Sequence, residues 1–262
     1  MPVFSARGRL AVPALFATIA VLGAPLPGGD WPQWRGPGRD GEAPGFALPA
    51  SFPAALPEAW RAPAGDGYSG PVAAAGKVVV LCRRGEKEWA IGLDAATGKE
   101  VWKDGRDAPY KPEDYAKDHG KGPFSTPAID GGKVYLRGID GAMSCLDLST
   151  GSVLWRKDFA GQFKKPHPMW GSASSPLIEG KLVIIPVGTE DDGALAALDK
   201  GTGEYVWKTA ELEPSYSSPV AADLAGARQV LVEREHHAVG AMEARAGAQL
   251  HDRPHATPSR PR

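Results

Sequence analysis

Leu93-Asp94-Ala95-Ala96-Thr97-Gly98-Lys99-Glu100-Val101-Trp102-Lys103 is one of three copies of a single phrase. It returns as Leu146-Asp147-Leu148-Ser149-Thr150-Gly151-Ser152-Val153-Leu154-Trp155-Arg156 and as Leu198-Asp199-Lys200-Gly201-Thr202-Gly203-Glu204-Tyr205-Val206-Trp207-Lys208. From Trp to Trp the spacings are 53 and 52 residues. A period this long with strand-like contents specifies supersecondary units stacked side by side. Within each copy the chemistry is that of a tight turn. Gly98, Gly151 and Gly203 stand where a hairpin needs φ > 0. Asp94, Asp147 and Asp199 precede the turn, where a carboxylate accepts turn N–H groups, and Thr97, Thr150 and Thr202 share that turn. Trp102, Trp155 and Trp207 follow on the next strand and read as packing plugs between neighbouring units.

A second marker precedes each phrase and occurs once more after the third. It is Ser-x-Pro followed by an apolar residue: Ser69-Gly70-Pro71-Val72, Ser125-Thr126-Pro127-Ala128, Ser174-Ser175-Pro176-Leu177 and Ser217-Ser218-Pro219-Val220. A β-rich run follows each: Lys77 to Cys82, Lys133 to Arg137, Lys181 to Val187 and Arg228 to Val232. The period is therefore strand, turn, strand, loop, strand, Thr-Gly turn, strand. Four antiparallel strands per ~40–50-residue unit describe a β-propeller blade. No segment inside the repeats keeps a 3.6-residue apolar period, which excludes helix-pair solenoids. The expected fold is all-β: an incomplete β-propeller of about four four-stranded antiparallel blades over residues 63–232, preceded by an N-terminal segment at 25–62. In the fourth repeat Gly247 aligns with the turn glycine and His251 with the Trp. Residues 233–262 hold no Trp and read either as a disordered tail or as the end of an incomplete or frame-altered product.

Bulk composition adds bounds. The 262 residues are 42% hydrophobic and 23% charged, enough for a sizeable core, and the net charge of −1 offers no basic excess for nucleic acid. Arg7 and Arg9 precede a mostly apolar stretch from Leu10 to Ala24, which reads as an export signal over 1–24 cleaved near Ala20 or Ala24. The stretch is short for a ~20-residue membrane span, so no stable span is expected after cleavage. A periplasmic or secreted location follows. Cys82 and Cys145 are the only cysteines. Export permits a disulfide, but no spacing forces these two together.

The Leu-Asp-x-x-Thr-Gly-x-x-x-Trp phrase resembles the tryptophan-docking repeat of the pyrroloquinoline quinone (PQQ)-like β-propellers. The stretch Trp31-Pro32-Gln33-Trp34-Arg35-Gly36-Pro37-Gly38-Arg39-Asp40-Gly41 is similar to the opening of exported members of that group. The resemblance covers roughly residues 30–232. It implies seven or eight blades in a complete ring. It also implies two classes of role: quinoprotein dehydrogenases that hold PQQ and calcium, and non-enzymatic members such as a subunit of the outer-membrane assembly machine. The adjacent Cys pair and the calcium-ligating Asn of the dehydrogenases have no counterpart here, since no Cys pair is vicinal and Asn is absent. The lipidation cysteine of the assembly subunit is absent too. Repeat phrases are scaffold, and activity has to come from a site.

No catalytic constellation stands out, and no catalytic, metal or cofactor residue is assigned. Two long linkers, Lys103 to Phe124 and Arg156 to Ser172, emerge on the face opposite the Thr-Gly turns, and long loops on a rigid scaffold are where binding resides. Tyr110, Tyr115 and His119 in the first and His167 and Trp170 in the second make that face the candidate contact surface for an envelope protein or a glycan. Glu190, Asp191 and Asp192 read as a solvated loop rather than a calcium site, and His119 and His167 as loop histidines rather than a metal pair. Trp31 and Trp34 read as indoles buried where the segment crosses the propeller, with Arg35 stacked or paired to a carboxylate. The first expectation is an exported, non-enzymatic binding scaffold with no cofactor. The alternative is a quinoprotein oxidoreductase with PQQ and calcium.

Overall fold

A computed structural model describes residues 29–189, 191–209 and 212–233, with backbone alone at 115–116 and 244–249. The apolar leader at 1–24 and His251 lie outside the described residues. The chain forms four antiparallel sheets, each a meander in sequence order. The first holds β1 (Val72–Ala74), β2 (Lys77–Arg84), β3 (Lys87–Asp94) and β4 (Glu100–Asp107). The second holds β5 (Ala128–Asp130), β6 (Lys133–Arg137), β7 (Met143–Asp147) and β8 (Val153–Lys157). The third holds β9 (Leu177–Glu179), β10 (Leu182–Val187), β11 (Ala194–Asp199) and β12 (Tyr205–Lys208). The fourth holds β13 (Val220–Leu224), β14 (Ala227–Glu233) and β15 (Ala244–Gln249). The short first strands neighbour one another in the order β1, β5, β9, β13, so the sheets radiate from a common axis. These are four blades of an unclosed β-propeller.

The apolar runs of the second and third strands have a simple cause. The third blade is covered on both faces, by the second and the fourth, so Val183 to Val187 can all be buried without alternation. Val79, Leu81 and Trp102 of the first blade pack on Val134, Leu136 and Leu146 of the second. Tyr135, Cys145 and Trp155 of the second pack on Val183, Ile185 and Ala196 of the third. Ile184 and Ala197 of the third meet Val230 and Val232 of the fourth. Cys82 and Cys145 are buried in separate clusters as free thiols.

The Thr-Gly turns act as clasps within and between blades. One carboxylate oxygen of Asp94 accepts the Thr97 N–H at 3.0 Å and its hydroxyl at 2.7 Å. Asp147 accepts the N–H and hydroxyl of both Ser149 and Thr150, and Asp199 the N–H groups of Gly201 and Thr202 and the Thr202 hydroxyl. The following glycine has φ of 68°, 72° or 75° in the three turns. Its missing side chain also leaves room for an indole: a Cβ on Gly151 would sit 2.6 Å from the Trp102 ring, and one on Gly203 2.7 Å from the Trp155 ring. Trp102 donates its indole N–H to Leu148 O at 2.8 Å, and Trp155 donates to Lys200 O at 3.2 Å. Each outer strand is thus pinned to the turn of the next blade. Trp207 is half-buried where it meets Ala221, Val230 and Val232 of the fourth blade. Gly247, expected at the turn of the fourth repeat, lies in β15 opposite Val230.

The sequence does not mark a further indole with the same contacts. Trp60 donates to Ala95 O at 2.9 Å, and a Cβ on Gly98 would meet its ring at 2.5 Å. Ala95, Leu148 and Lys200 hold the same place in the three phrases, so Trp60 docks on the first blade as Trp102 and Trp155 dock on the second and third.

Trp155→Ala empties this clasp and should cost about 3–5 kcal/mol of unfolding free energy, read as a lower urea midpoint. Asp94, Asp147 and Asp199 are all held below the usual carboxylate range. For Asp94 the Thr97 hydroxyl is the main cause, for Asp147 the Ser149 hydroxyl, and for Asp199 the Gly201 N–H. Groups with depressed folded pKa values stabilise the fold above their unfolded pKa of about 3.9 and lose that contribution as pH falls through the folded value. Thermal melts of a triple Asp→Asn variant should therefore lose their pH dependence relative to wild type chiefly below about pH 4.

Candidate functional site

The linkers and the loops between second and third strands share one face, as the meander requires. The first linker, after Asp107, carries a 3-10 turn at Asp114–His119 and is tied down at its ends. Ala108 N–H donates to Glu86 O, and Lys121 pairs with Glu86 at 2.5 Å. Beneath it lies a charge network that sequence reading misses. The buried Glu88 carboxylate accepts Arg106 at 2.6 Å and the Ile139 N–H at 2.9 Å. Arg106 reaches across to both oxygens of Asp140 in the second blade at 2.7 Å, and Arg83 stands 3.6 Å from Glu88 while donating to Ala108 O and Lys121 O. Two cations and two carboxylates balance. Burial pushes the Glu88 carboxyl above its usual range, with Arg106 and the Ile139 N–H opposing.

Over this base the two linkers meet. The Tyr110 ring packs edge-on to His167 with centroids 5.7 Å apart, and the Tyr110 hydroxyl donates to Met169 O at 3.3 Å. His119 lies 6.4 Å from Trp170. Trp170 stacks on Tyr216 at 5.4 Å and donates its backbone N–H to the Tyr216 hydroxyl at 3.2 Å. Four of the five expected face residues therefore lie in two aromatic groups, Tyr110 with His167 and His119 with Trp170 and Tyr216, linked by the Tyr110 bond to Met169 O. The side chain of Tyr115 is not among those described. Tyr216, from the third linker, was not expected. Its only signal was its place just ahead of the fourth Ser-x-Pro marker. Trp170 and Met169 stay 45% and 58% exposed. His119 and His167 contact different rings rather than one another, and no group of three metal-ligating side chains occurs among the described residues. Asp191 pairs with Lys164 at 3.0 Å and Asp192 accepts the Lys164 N–H; Glu190 lies outside the described residues.

The Ser-x-Pro markers converge on the axis and explain themselves there. The middle residue of each donates its backbone N–H to the side-chain hydroxyl of the next: Gly70 to Thr126 at 3.2 Å, Thr126 to Ser175 at 2.9 Å and Ser175 to Ser218 at 2.8 Å. This hydroxyl relay joins all four blades at the hub. It lines a cavity of about 570 Å³ whose walls also include Trp34, Tyr68 and Phe124. The N-terminal segment crosses the hub. Trp31 exchanges backbone bonds with Ala73 of the first blade, Pro32 O accepts Ile129 N–H of the second, and Arg39 donates to Ser175 O and Pro176 O of the third. Trp31 and Trp34 are half-buried rather than buried, and Trp34 lines the hub cavity. Arg35 stacks on Trp34 at 5.5 Å and donates to the Asp40 carbonyl rather than to a carboxylate. Arg39 and Arg137 are the buried cations of the hub. Both donate to neutral acceptors, Arg137 to the Ser174 hydroxyl and Pro186 O, and burial lowers their pKa values to about 10 and about 9.

Residues 86–261 match the profile of the family described as outer membrane protein assembly factor BamB. The chain belongs to this PQQ-repeat family. Among curated relatives it is 32% identical over 125 residues to quinohemoprotein alcohol dehydrogenase ADH IIB of Pseudomonas putida, covering 45% of this chain and 17% of that protein. It is also 32% identical over 126 residues to 1-butanol dehydrogenase (quinone) of Thauera butanivorans, covering 45% and 19%. The chain thus spans about a fifth of the length of these relatives. Among solved structures it is similar to quinohemoprotein alcohol dehydrogenase of Comamonas testosteroni, with TM-score 0.47, 19% identity, and 64% of this chain against 29% of that one. BamB of Moraxella catarrhalis gives TM-score 0.39, 18% identity, and 60% against 45%. The donors that these four blades bring to the hub cavity do not fit a calcium-held, carboxylated quinone. The lining is aromatic, aliphatic and hydroxylic, and none of its side chains is a carboxylate or a cation.

Glu88→Ala strands the buried Arg83 and the half-buried Arg106 beside one remaining carboxylate. It should lower the unfolding free energy by about 3–5 kcal/mol, measured as a shift in urea midpoint.

Proposed function

We propose that this chain forms part of an exported, non-enzymatic β-propeller that binds an envelope protein through its linker face. The observation that carries the reading is the pair of aromatic groups, Tyr110 with His167 and His119 with Trp170 and Tyr216, with Trp170 and Met169 left exposed on the same linkers. Aromatic residues and Met mark the cores of protein interfaces, and a rigid platform lowers the ordering cost of binding. Export rests on the 1–24 leader, and the periplasm is the matching compartment. The family profile supports the same reading, since its description is that of an assembly factor. A second reading, a quinoprotein oxidoreductase, draws on the 32% identity to quinone-dependent dehydrogenases. The uncharged hub lining weighs against it.

A photo-crosslinking residue placed at Met169 in cells should trap a discrete envelope protein, while one at Lys99 on the turn face should not. Trp170→Ala should weaken the Met169 adduct about tenfold or more. Equal labelling from both faces would overturn the linker-face reading. Adding PQQ with calcium to the purified chain should give no stoichiometric quinone absorbance, and such a band would move the assignment to the second reading.

A further inference from the structure

The hub cavity does not suit a carboxylated quinone, and its chemistry points elsewhere. Its volume of about 570 Å³ lies in the range of pockets that enclose a small organic ligand. Aromatic rings from four separate segments line it. Tyr68 and Phe124 lean together with centroids 5.4 Å apart, and Trp34 carries Arg35 and Arg39 against its ring at 5.5 and 5.4 Å. Tyr216 adds to the wall and leads outward, through its stack on Trp170, to the linker face. Tyr68 is 67% exposed, so its ring has open surface to offer.

The hydroxyl relay supplies the polar half. Thr126, Ser175 and Ser218 each accept a backbone N–H of the marker before, and all three line the cavity. Accepting uses an oxygen lone pair and leaves the O–H proton uncommitted. Among the described residues none of these three hydroxyls donates to an acceptor. Thr126 and Ser175 are buried, where a proton without an acceptor is costly. Ser217 differs, because its hydroxyl donates to Glu233. That carboxylate sets a negative charge behind the wall. No lining side chain is cationic, and Arg39 spends its terminal nitrogens on Gln33 Oε1 and on the carbonyls of Ser175 and Pro176. The walls thus ask for a ligand that accepts hydrogen bonds, packs on aromatic rings and carries no charge.

We infer that the hub cavity binds an uncharged saccharide, with a pyranose ring packed on Tyr68 and its hydroxyls accepting from Thr126, Ser175 and Ser218. The C–H face of a sugar ring is apolar and slightly positive, which suits the negative face of an aromatic ring. Its rim carries hydroxyls that both accept and donate. The relay hydroxyls can do the same, since each keeps a proton and a second lone pair. A purely apolar ligand would fill the aromatic half and leave the buried Thr126 and Ser175 protons unpaired. The backbone N–H groups hold each hydroxyl oxygen in place before the sugar arrives, which lowers the ordering cost of binding.

Isothermal titration calorimetry of the purified chain with cellobiose, maltose and diacetylchitobiose should show saturable binding of at least one, with a dissociation constant below about 1 mM. The methyl glycoside of the bound sugar separates two sources. Equal affinity assigns the site to the end of a glycan chain, and a loss of about tenfold or more assigns it to the free sugar. The uronate form of the same sugar should bind about tenfold or more weakly. Thr126→Val should weaken binding about tenfold through the lost proton, and Thr126→Ser should restore it. Thr126→Val also removes the acceptor of the Gly70 N–H, so Tyr68→Ala, at an exposed ring, serves as the second variant. It should weaken binding about tenfold with an unchanged thermal melt. Lys99→Ala on the turn face should leave the affinity as it is. These titrations need no envelope protein, so they stand or fall apart from the crosslinks at Met169. No binding of any of the three sugars at about 10 mM, binding indifferent to both Thr126→Val and Tyr68→Ala, or tighter binding of the uronate would each overturn the assignment.

Discussion

Everything in this structure depends on an indole lying flat over a glycine that has no side chain. The Thr-Gly turn needs a left-handed residue, and glycine adopts that conformation without strain. The same absence of a Cβ leaves the flat surface near the turn on which a large ring lies. One residue thus satisfies two constraints, one within a blade and one between blades. The indole N–H then finds a carbonyl three residues before that glycine, and this fixes the angle at which the next sheet arrives. Packing of the apolar faces supplies most of the stabilisation, but it is non-directional. The clasp is what makes successive sheets radiate rather than stack flat.

The hub solves the complementary problem at the inner edge. Inner strands are three to five residues long and pair within their sheets only with their own second strands, so the N–H groups of the marker residues just ahead of them need partners across the axis. The marker hydroxyls accept those N–H groups in series, and the marker prolines have no N–H to satisfy. The relay asks for a hydroxyl at its receiving positions and only an N–H at its start. That accounts for Gly70 in the first blade and Thr126, Ser175 and Ser218 in the others.

These physical requirements decide what was legible in the sequence. The turns were legible because Asp, Thr and Gly at fixed spacing each have one local job. The second strands were legible because burial on both faces leaves an unbroken apolar run. Trp60 was not, because no Leu-Asp-x-x-Thr-Gly phrase precedes it; its docking turn lies 35–38 residues later, in the next unit. The Glu88, Arg106 and Asp140 network was invisible for a related reason. Its members sit in ordinary strand and loop positions 18–52 residues apart, and only the stacking of two blades brings them together. The hub residues were visible as a marker but not as a relay, since the varying position carried the chemistry. On the linker face, Tyr110, His119, His167 and Trp170 were found because long loops with aromatics are conspicuous. Tyr216 was not, because it stands in a linker with no other aromatic.

The two faces of the wheel are constrained unequally, and this bears on where a partner can be read. On the turn face nearly every residue is committed to the clasp, so substitutions there change stability before they change recognition. On the linker face the commitments lie one layer down, in the balanced ion network under the first linker and the hydroxyl relay at the axis. Those two sets hold the long loops in place. The residues above them, Trp170 and Met169 among them, are left with exposed surface and no structural duty of comparable weight. A surface of that kind can vary among relatives while the wheel beneath it stays the same, and so one scaffold can serve members with different roles.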